Sequence, residues 1–273
     1  MVSFGLNASI TKTEEIRFIS QGVQLSGTFV ISEVKPAKAA VVFVHGSGPQ
    51  TRSIRLAQNF AEVGIAALVY DKRGVGQSGG EYESKQSVSG PNIDILAEDA
   101  AAALDFLANH RLTKDLPLGL TGISQAGWIV PLAAQKSGKA NFILLWSGPV
   151  SKVSEEDIYS KYTRDKDSRD LPSFDEALNA RKEPYVWPEF LGRDADPSEN
   201  LVTLNIPGFW IFGAKDGSIP VDLSIQRLQS LRQKGFAYEY VVFSELGHNN
   251  IPQTFATAVD WVDRIAVANH QSK

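Results

Sequence analysis

Thr121-Gly122-Ile123-Ser124-Gln125-Ala126-Gly127 is the stretch that decides the fold. It follows the apolar run Leu116–Leu120 and opens a helix-like segment, Trp128–Gln135. A serine between small residues at a strand-to-helix turn is presented as a nucleophile. Gly122 and Ala126 leave room for the strained backbone that pushes Ser124 out of the turn. The pattern here is G-x-S-x-A, and alone it would equally suit an ordinary turn with an exposed serine. The elements around it separate the two readings.

Upstream, Ile16–Ser20 and Val23–Ile31 read as strands joined by a hairpin at Gln21-Gly22. Ala39–Val44 and Ile65–Tyr70 are nearly unbroken apolar runs, as in strands of a parallel sheet buried on both faces. Arg52–Val63 and Ile93–Asn109 carry the helical period. Downstream come strands at Asn141–Trp146, Gly208–Phe212 and Phe236–Phe243, with helices at Val221–Lys234 and Ile251–Val267. This alternation predicts an α/β fold: a mostly parallel sheet with an antiparallel start and helices on both faces. Residues 149–207 break the rhythm. They hold several prolines, a charge cluster from Glu155 to Asp170, and six aromatics, and are too long for a simple connection. We expect a core of 1–148 and 208–273, with 149–207 a cap insertion of two or three short helices.

In an open parallel sheet, ligands bind beyond the carboxyl ends of the strands. The residues found there are His45-Gly46-Ser47-Gly48, then Asp71-Lys72-Arg73-Gly74-Val75-Gly76-Gln77-Ser78, then the Ser124 turn. The later strands end in Gly213-Ala214-Lys215-Asp216-Gly217 and Gly247-His248-Asn249. A serine, an acid and a histidine thus stand at three strand ends, in the order Ser, Asp, His. Together with Ser-Ile-Pro at 218–220, these motifs resemble those of the α/β-hydrolase superfamily. The resemblance runs from about residue 15 to the last helix. Within the superfamily the chain looks most like bacterial serine esterases of the acyl-esterase and dipeptidyl-peptidase-like group. Its departure is Ala126, where the commonest motif has glycine.

The chemistry assigns each residue type a task. Ser124 needs a base to take its proton as it attacks a carbonyl, and His248 is the candidate. Asp216 would hold the imidazole in one tautomer and stabilise its charged form. The resemblance implies oxyanion donors at the backbone N–H of Gln125 and of Ser47. Asp71 and Glu245 are rival acids. The D-x-R-G-x-G run reads as a structural turn in which Asp71 pairs with Arg73. His45 is expected to hold its loop by hydrogen bonds, and His110 and His270 to lie on solvated helix ends. Trp146, Tyr159, Tyr162, Tyr185 and Trp187 are candidates for the wall of a substrate pocket.

Composition narrows the partners. Net charge is −4, with no basic run that would read as a nucleic-acid footprint. There are no cysteines, which excludes disulfides, thiolate metal sites and a cysteine nucleophile. The four histidines are far apart, without a helical metal-binding pair. No apolar run reaches the ~18 residues of a membrane span, and residues 1–10 lack a signal-peptide pattern. The reading is a serine hydrolase of short-chain carboxylic esters, without cofactor or metal, its partner a small-molecule ester, and cytoplasmic, although a mature secreted or periplasmic form would carry the same sequence. An amidase or peptidase of the same fold and a non-catalytic small-molecule binder are the alternatives.

Overall fold

The computed structural model describes residues 10–271, and side chains up to residue 268. Eight strands form one sheet in the order β1-β2-β4-β3-β5-β6-β7-β8. They are β1 (Thr11–Ser20), β2 (Val23–Ser32), β3 (Ala39–Val44), β4 (Ile65–Tyr70), β5 (Leu118–Ile123), β6 (Phe142–Trp146), β7 (Gly208–Gly213) and β8 (Tyr238–Phe243). β1 pairs with β2, and β2 with β4, antiparallel; every later pairing is parallel. The β1–β2 turn places Gln21 and Gly22 both at positive φ, 48° and 74°, which suits the twist of a two-residue hairpin.

The helices are α1 (Ile54–Glu62), α2 (Gly90–Asn109), α3 (Ala126–Ser137), α4 (Val153–Thr163), α5 (Phe174–Asn179), α6 (Pro197–Leu201), α7 (Val221–Gln233) and α8 (Ile251–Gln271). Because side chains alternate along a strand, each apolar run serves two cores at once. Val42, Val44, Leu120, Leu145 and Phe212 face α2, α3 and α7, where Leu104, Trp128 and Leu228 meet them. Val41, Phe43, Leu144, Trp146 and Ile211 face α1 and α8, against Phe60, Trp261 and Val262. The mostly parallel α/β sheet read from the sequence is the observed one.

Several boundaries differ from the reading, with β1 starting at Thr11, α2 at Gly90 and β8 at Tyr238; the one at the site is that of β5. β5 starts at Leu118 and runs on through Thr121 and Gly122 to Ile123, where a turn had been expected to begin. Its glycines are demanded by packing: a Cβ on Gly119 would come within 2.2 Å of the Phe142 ring.

Within 149–207 lie α4, α5, a 3-10 turn at Glu189–Leu191, and α6. These short helices are held by polar caps. Ser173 and Glu176 form a reciprocal capping box on α5, and the Asp196 carboxylate accepts the Ser198 N–H on α6. Among the described residues no helix is long and apolar enough to cross a membrane.

Candidate active site

Ser124 lies just past β5, with φ of 58°, a left-handed conformation that is unfavourable for a residue with a Cβ. The turn closes only over small neighbours. A Cβ on Gly122 would sit 2.5 Å from both the Ala126 Cβ and the Val44 carbonyl. The 45–48 loop lies against the serine, since a Cβ on Gly46 would approach the Ser124 Cβ to 3.4 Å. Directly behind Ser124 begins α3, whose amino end adds a positive dipole. Among the described residues, no hydrogen bond takes up the Ser47 or Gln125 backbone N–H.

Asp216 and His248 come together. His248 Nδ1 is 2.9 Å from each carboxylate oxygen of Asp216, which is 0% exposed. Oδ1 of Asp216 also accepts the N–H groups of Ser218 (2.9 Å) and Ile219 (3.2 Å), so the acid is fixed by its own loop. The two loops pack backbone to backbone: a Cβ on Gly213 would meet the carbonyls of Leu246 and Gly247 at 2.4 Å. Burial alone favours the neutral imidazole. The hydrogen bond and charge of Asp216, with the charges of Asp167 and Asp165, outweigh it and raise the His248 pKa above the ordinary 6.5.

A short backbone relay connects these loops to the serine. The Ser124 N–H donates to the Trp146 carbonyl at 3.1 Å. The next residue, Ser147, donates its hydroxyl to the His248 carbonyl at 2.8 Å. Among the described residues the Ser124 hydroxyl itself makes no hydrogen bond, His248 included.

The rival acids have other work. Asp71 is buried and accepts the N–H groups of Arg52 (2.9 Å) and Gln77 (2.8 Å). Its ion pair is with Arg52 at 3.4 Å, not with Arg73 as expected. Arg73 instead pairs with the buried Asp99. Asp71 and Arg73 are bound into different networks, so the turn braces two loops and not itself. Glu245 is exposed and occupied by Lys215 (2.6 Å) and Arg169 (3.1 Å). His45 is buried and its Nε2 bonds the Tyr70 carbonyl, while burial lowers its pKa. His110 is not solvated: it stacks on Phe106 and lies against Phe29. The side chain of His270 lies outside the described residues.

The expected pocket aromatics mostly serve packing. Trp146 is 0% exposed, packs on Phe60, and donates its indole N–H to Thr254 of α8 at 2.9 Å. It therefore points to the wrong face of the sheet for a pocket wall, a correction that strand alternation explains. Tyr159 is buried with Ile158, Phe174 and Ala177, and Tyr185 packs on that cluster while its hydroxyl donates to Asp157 at 2.7 Å. The Trp187 indole donates to the Gly192 carbonyl at 2.8 Å, and Tyr162 is exposed.

Two residues near the site escaped the sequence reading. Asp167, from 149–207, accepts the N–H groups of Gly217 (3.2 Å) and His248 (3.1 Å to Oδ2). Nothing in its charged surroundings marked it, although its partners Gly217 and Gly247 admit the close approach. Half-buried Glu156 on α4 has its carboxyl pushed up to about 8 by burial and by the charges of Asp165, Asp157 and Asp216. A concavity bordered by Lys114, Pro117, Gly138 and Asn141 lies at the opposite, amino-terminal edge of β5, away from this chemistry.

Known proteins resemble this chain in part of its sequence and in its fold. Residues 35–165, just under half of the chain, match the family described as serine aminopeptidase, S33. A Pyrococcus furiosus esterase superposes with a TM-score of 0.65 at 17% identity, over 93% of this chain and 89% of that one. Acetyl xylan esterase 1 from a Thermoanaerobacterium species gives 0.68 at 13%, over 96% and 86%. An acylaminoacyl peptidase of Pyrococcus horikoshii gives 0.65 at 20%, over 90% of this chain but 38% of that one. A polyketide transferase of Penicillium crustosum is 29% identical over 123 residues, 42% of this chain. The match spans only 38% of that relative's length. The fold is that of the α/β-hydrolases, as the motifs implied.

Proposed function

We propose that this chain is a serine hydrolase that cleaves carboxylic esters of short acyl chains through an acyl-enzyme. The observation that carries the reading is the buried Asp216 gripping His248 with both oxygens, in loops tied through Trp146 and Ser147 to the strained Ser124 turn. In the reaction, His248 Nε2 takes the Ser124 proton as Oγ bonds to the carbonyl carbon. The carbonyl electrons move onto oxygen, which the N–H groups of Ser47 and Gln125 receive. Collapse breaks the bond to the alcohol, and His248 returns the proton to the leaving oxygen. Water, deprotonated by the same imidazole, then bonds to the acyl carbon; the bond to Ser124 Oγ breaks, His248 returns the proton to Oγ, and the acid leaves. Each oxyanion donor is typically worth about 3 kcal/mol of barrier.

Residues 149–207 act as a cap in this reading. A cap this short and stiffened by prolines favours acetyl to butyryl esters over octanoyl. A fluorophosphonate probe tests the nucleophile directly: it should modify Ser124, and an unmodified protein would end the proposal. The match at 35–165 supports a second reading, an aminopeptidase. Its substrate ammonium would be drawn by Asp165 and Asp167. Amino-acid p-nitroanilides set against p-nitrophenyl esters separate the two.

A further inference from the structure

We infer that Lys72 is the positioning residue of the oxyanion site, its ammonium joining the two chain segments that carry the donors and setting a positive charge behind them. This rests on the serine-hydrolase reading above. Lys72 is 3% exposed, and its Nζ donates to the carbonyls of Gly46 (2.9 Å) and Gly48 (3.3 Å) and to Gln125 Oε1 (2.8 Å). Gly46 and Gly48 flank Ser47, and Gln125 follows the nucleophile. The Gln125 amide then donates to the Ser87 carbonyl at 2.7 Å, which fixes its orientation.

An ammonium has three N–H groups, and here three acceptors meet them. Without the cation, the 45–48 loop and the Ser124 turn would lose their common anchor. A misplacement of about 1 Å in such donors costs roughly a hundredfold in rate. The charge also has no carboxylate within ion-pair distance among the described residues. Burying a cation without an ion-pair partner is expensive. An anion that forms only during the reaction gains most from it, so the attraction is stronger in the transition state than in the ground state.

Burial pushes the Lys72 pKa down to about 8. Above that pH the neutral amine keeps only two N–H groups and must release one acceptor. The titratable groups around it are Asp71 and Tyr82 from its own connection and His45 from the end of β3; Gln125, on the α3 side, is uncharged. The Tyr82 ring centroid is 5.9 Å from Nζ, and burial raises the Tyr82 pKa, while that of His45 is lowered.

The test is steady-state hydrolysis of p-nitrophenyl butyrate by the full chain across the neutral and alkaline range, with circular dichroism and fluorophosphonate labelling. Lys72→Met should fold and lose about a hundredfold in kcat, with KM changed by less than about threefold. Wild-type kcat should fall above about pH 8. That limb should vanish in Lys72→Met, and Lys72→Arg should carry it to higher pH. A Lys72→Met kcat within about threefold of wild type, or an unchanged alkaline limb, overturns the inference alone. If Lys72→Met does not fold, a limb at the same pH in wild type and Lys72→Arg overturns it. A wild type that is neither active nor labelled overturns the hydrolase reading and this inference with it.

Discussion

The sheet and the segment 149–207 are held together by different forces. In the sheet, β3, β4 and β6 are buried along their whole length, and each alternate residue feeds a separate apolar core. In 149–207 the apolar cluster is small, and much of the structure is polar. Ser154 bonds Asp194, Arg227 pairs with Glu155 at 2.7 Å, and the Phe174 N–H donates to Asp222 at 2.9 Å. The sheet sets where the strand ends lie. The segment, through Asp167 and the close packing of Gly217 on Lys166, governs how two of those ends meet. A core built on burial tolerates few changes of volume, whereas a polar scaffold tolerates few changes of charge.

Mutations can break this contrast at several points. The largest effects should come from residues that the sheet presents. Ser124→Ala and His248→Ala should each lower kcat by several orders of magnitude with the fold intact, and the double mutant should be scarcely worse. A residual activity above about a tenth in either, or 1.4 kcal/mol of barrier, rejects the triad. Asp216→Asn should follow, with kcat down by up to about four orders and little change in melting temperature. Asp71→Asn should behave in the opposite way, lowering thermal stability while leaving catalysis measurable, because its carboxylate holds the Arg52 and Gln77 loops.

Stability should then divide the two regions. Trp146→Ala should cost about 3–5 kcal/mol in chemical denaturation, as for other large core truncations. Tyr185→Phe removes only the bond to Asp157 in 149–207 and should cost about 1 kcal/mol. Equal costs would mean that the segment is as tightly built as the sheet. The smallest effect is one of pH. In the proposed reaction activity rises as His248 loses its proton, and the charge of Asp167 favours the protonated form. Asp167→Asn should therefore move the acid limb of kcat/KM toward lower pH. A shift toward higher pH would show that its grip on the His248 N–H outweighs its charge.

Legibility followed the same division. Strands buried on both faces leave apolar runs that need no context, so the parallel sheet and its strand ends could be read directly. Ser124 and Asp216 stood out because each follows such a run, and His248 because it follows the half-exposed edge strand β8. Lys72 did not, because Lys72-Arg73 looks like any surface pair and only the fold shows that the lysine is enclosed. The Asp71–Arg73 pairing failed for a related reason: neighbours two apart in an irregular turn need not share a face. Asp167 sits in a run of charges that reads as solvated. The aromatics of 149–207 advertised a pocket wall, yet Tyr159 and Tyr185 bind the segment to itself.

The reach of Asp167 across to the His248 loop has a practical consequence for anyone redesigning this protein. Exchanging 149–207 for a segment from a known hydrolase, to change what fits in the proposed site, would also remove the carboxylate that accepts the His248 N–H. A graft should therefore be judged by its turnover of a minimal acetyl ester before any new specificity is sought. Grafts that retain an aspartate or asparagine in register with position 167, able to accept the Gly217 and His248 N–H groups, should keep that turnover, and those with no acceptor there should lose part of it even when their new walls are well formed.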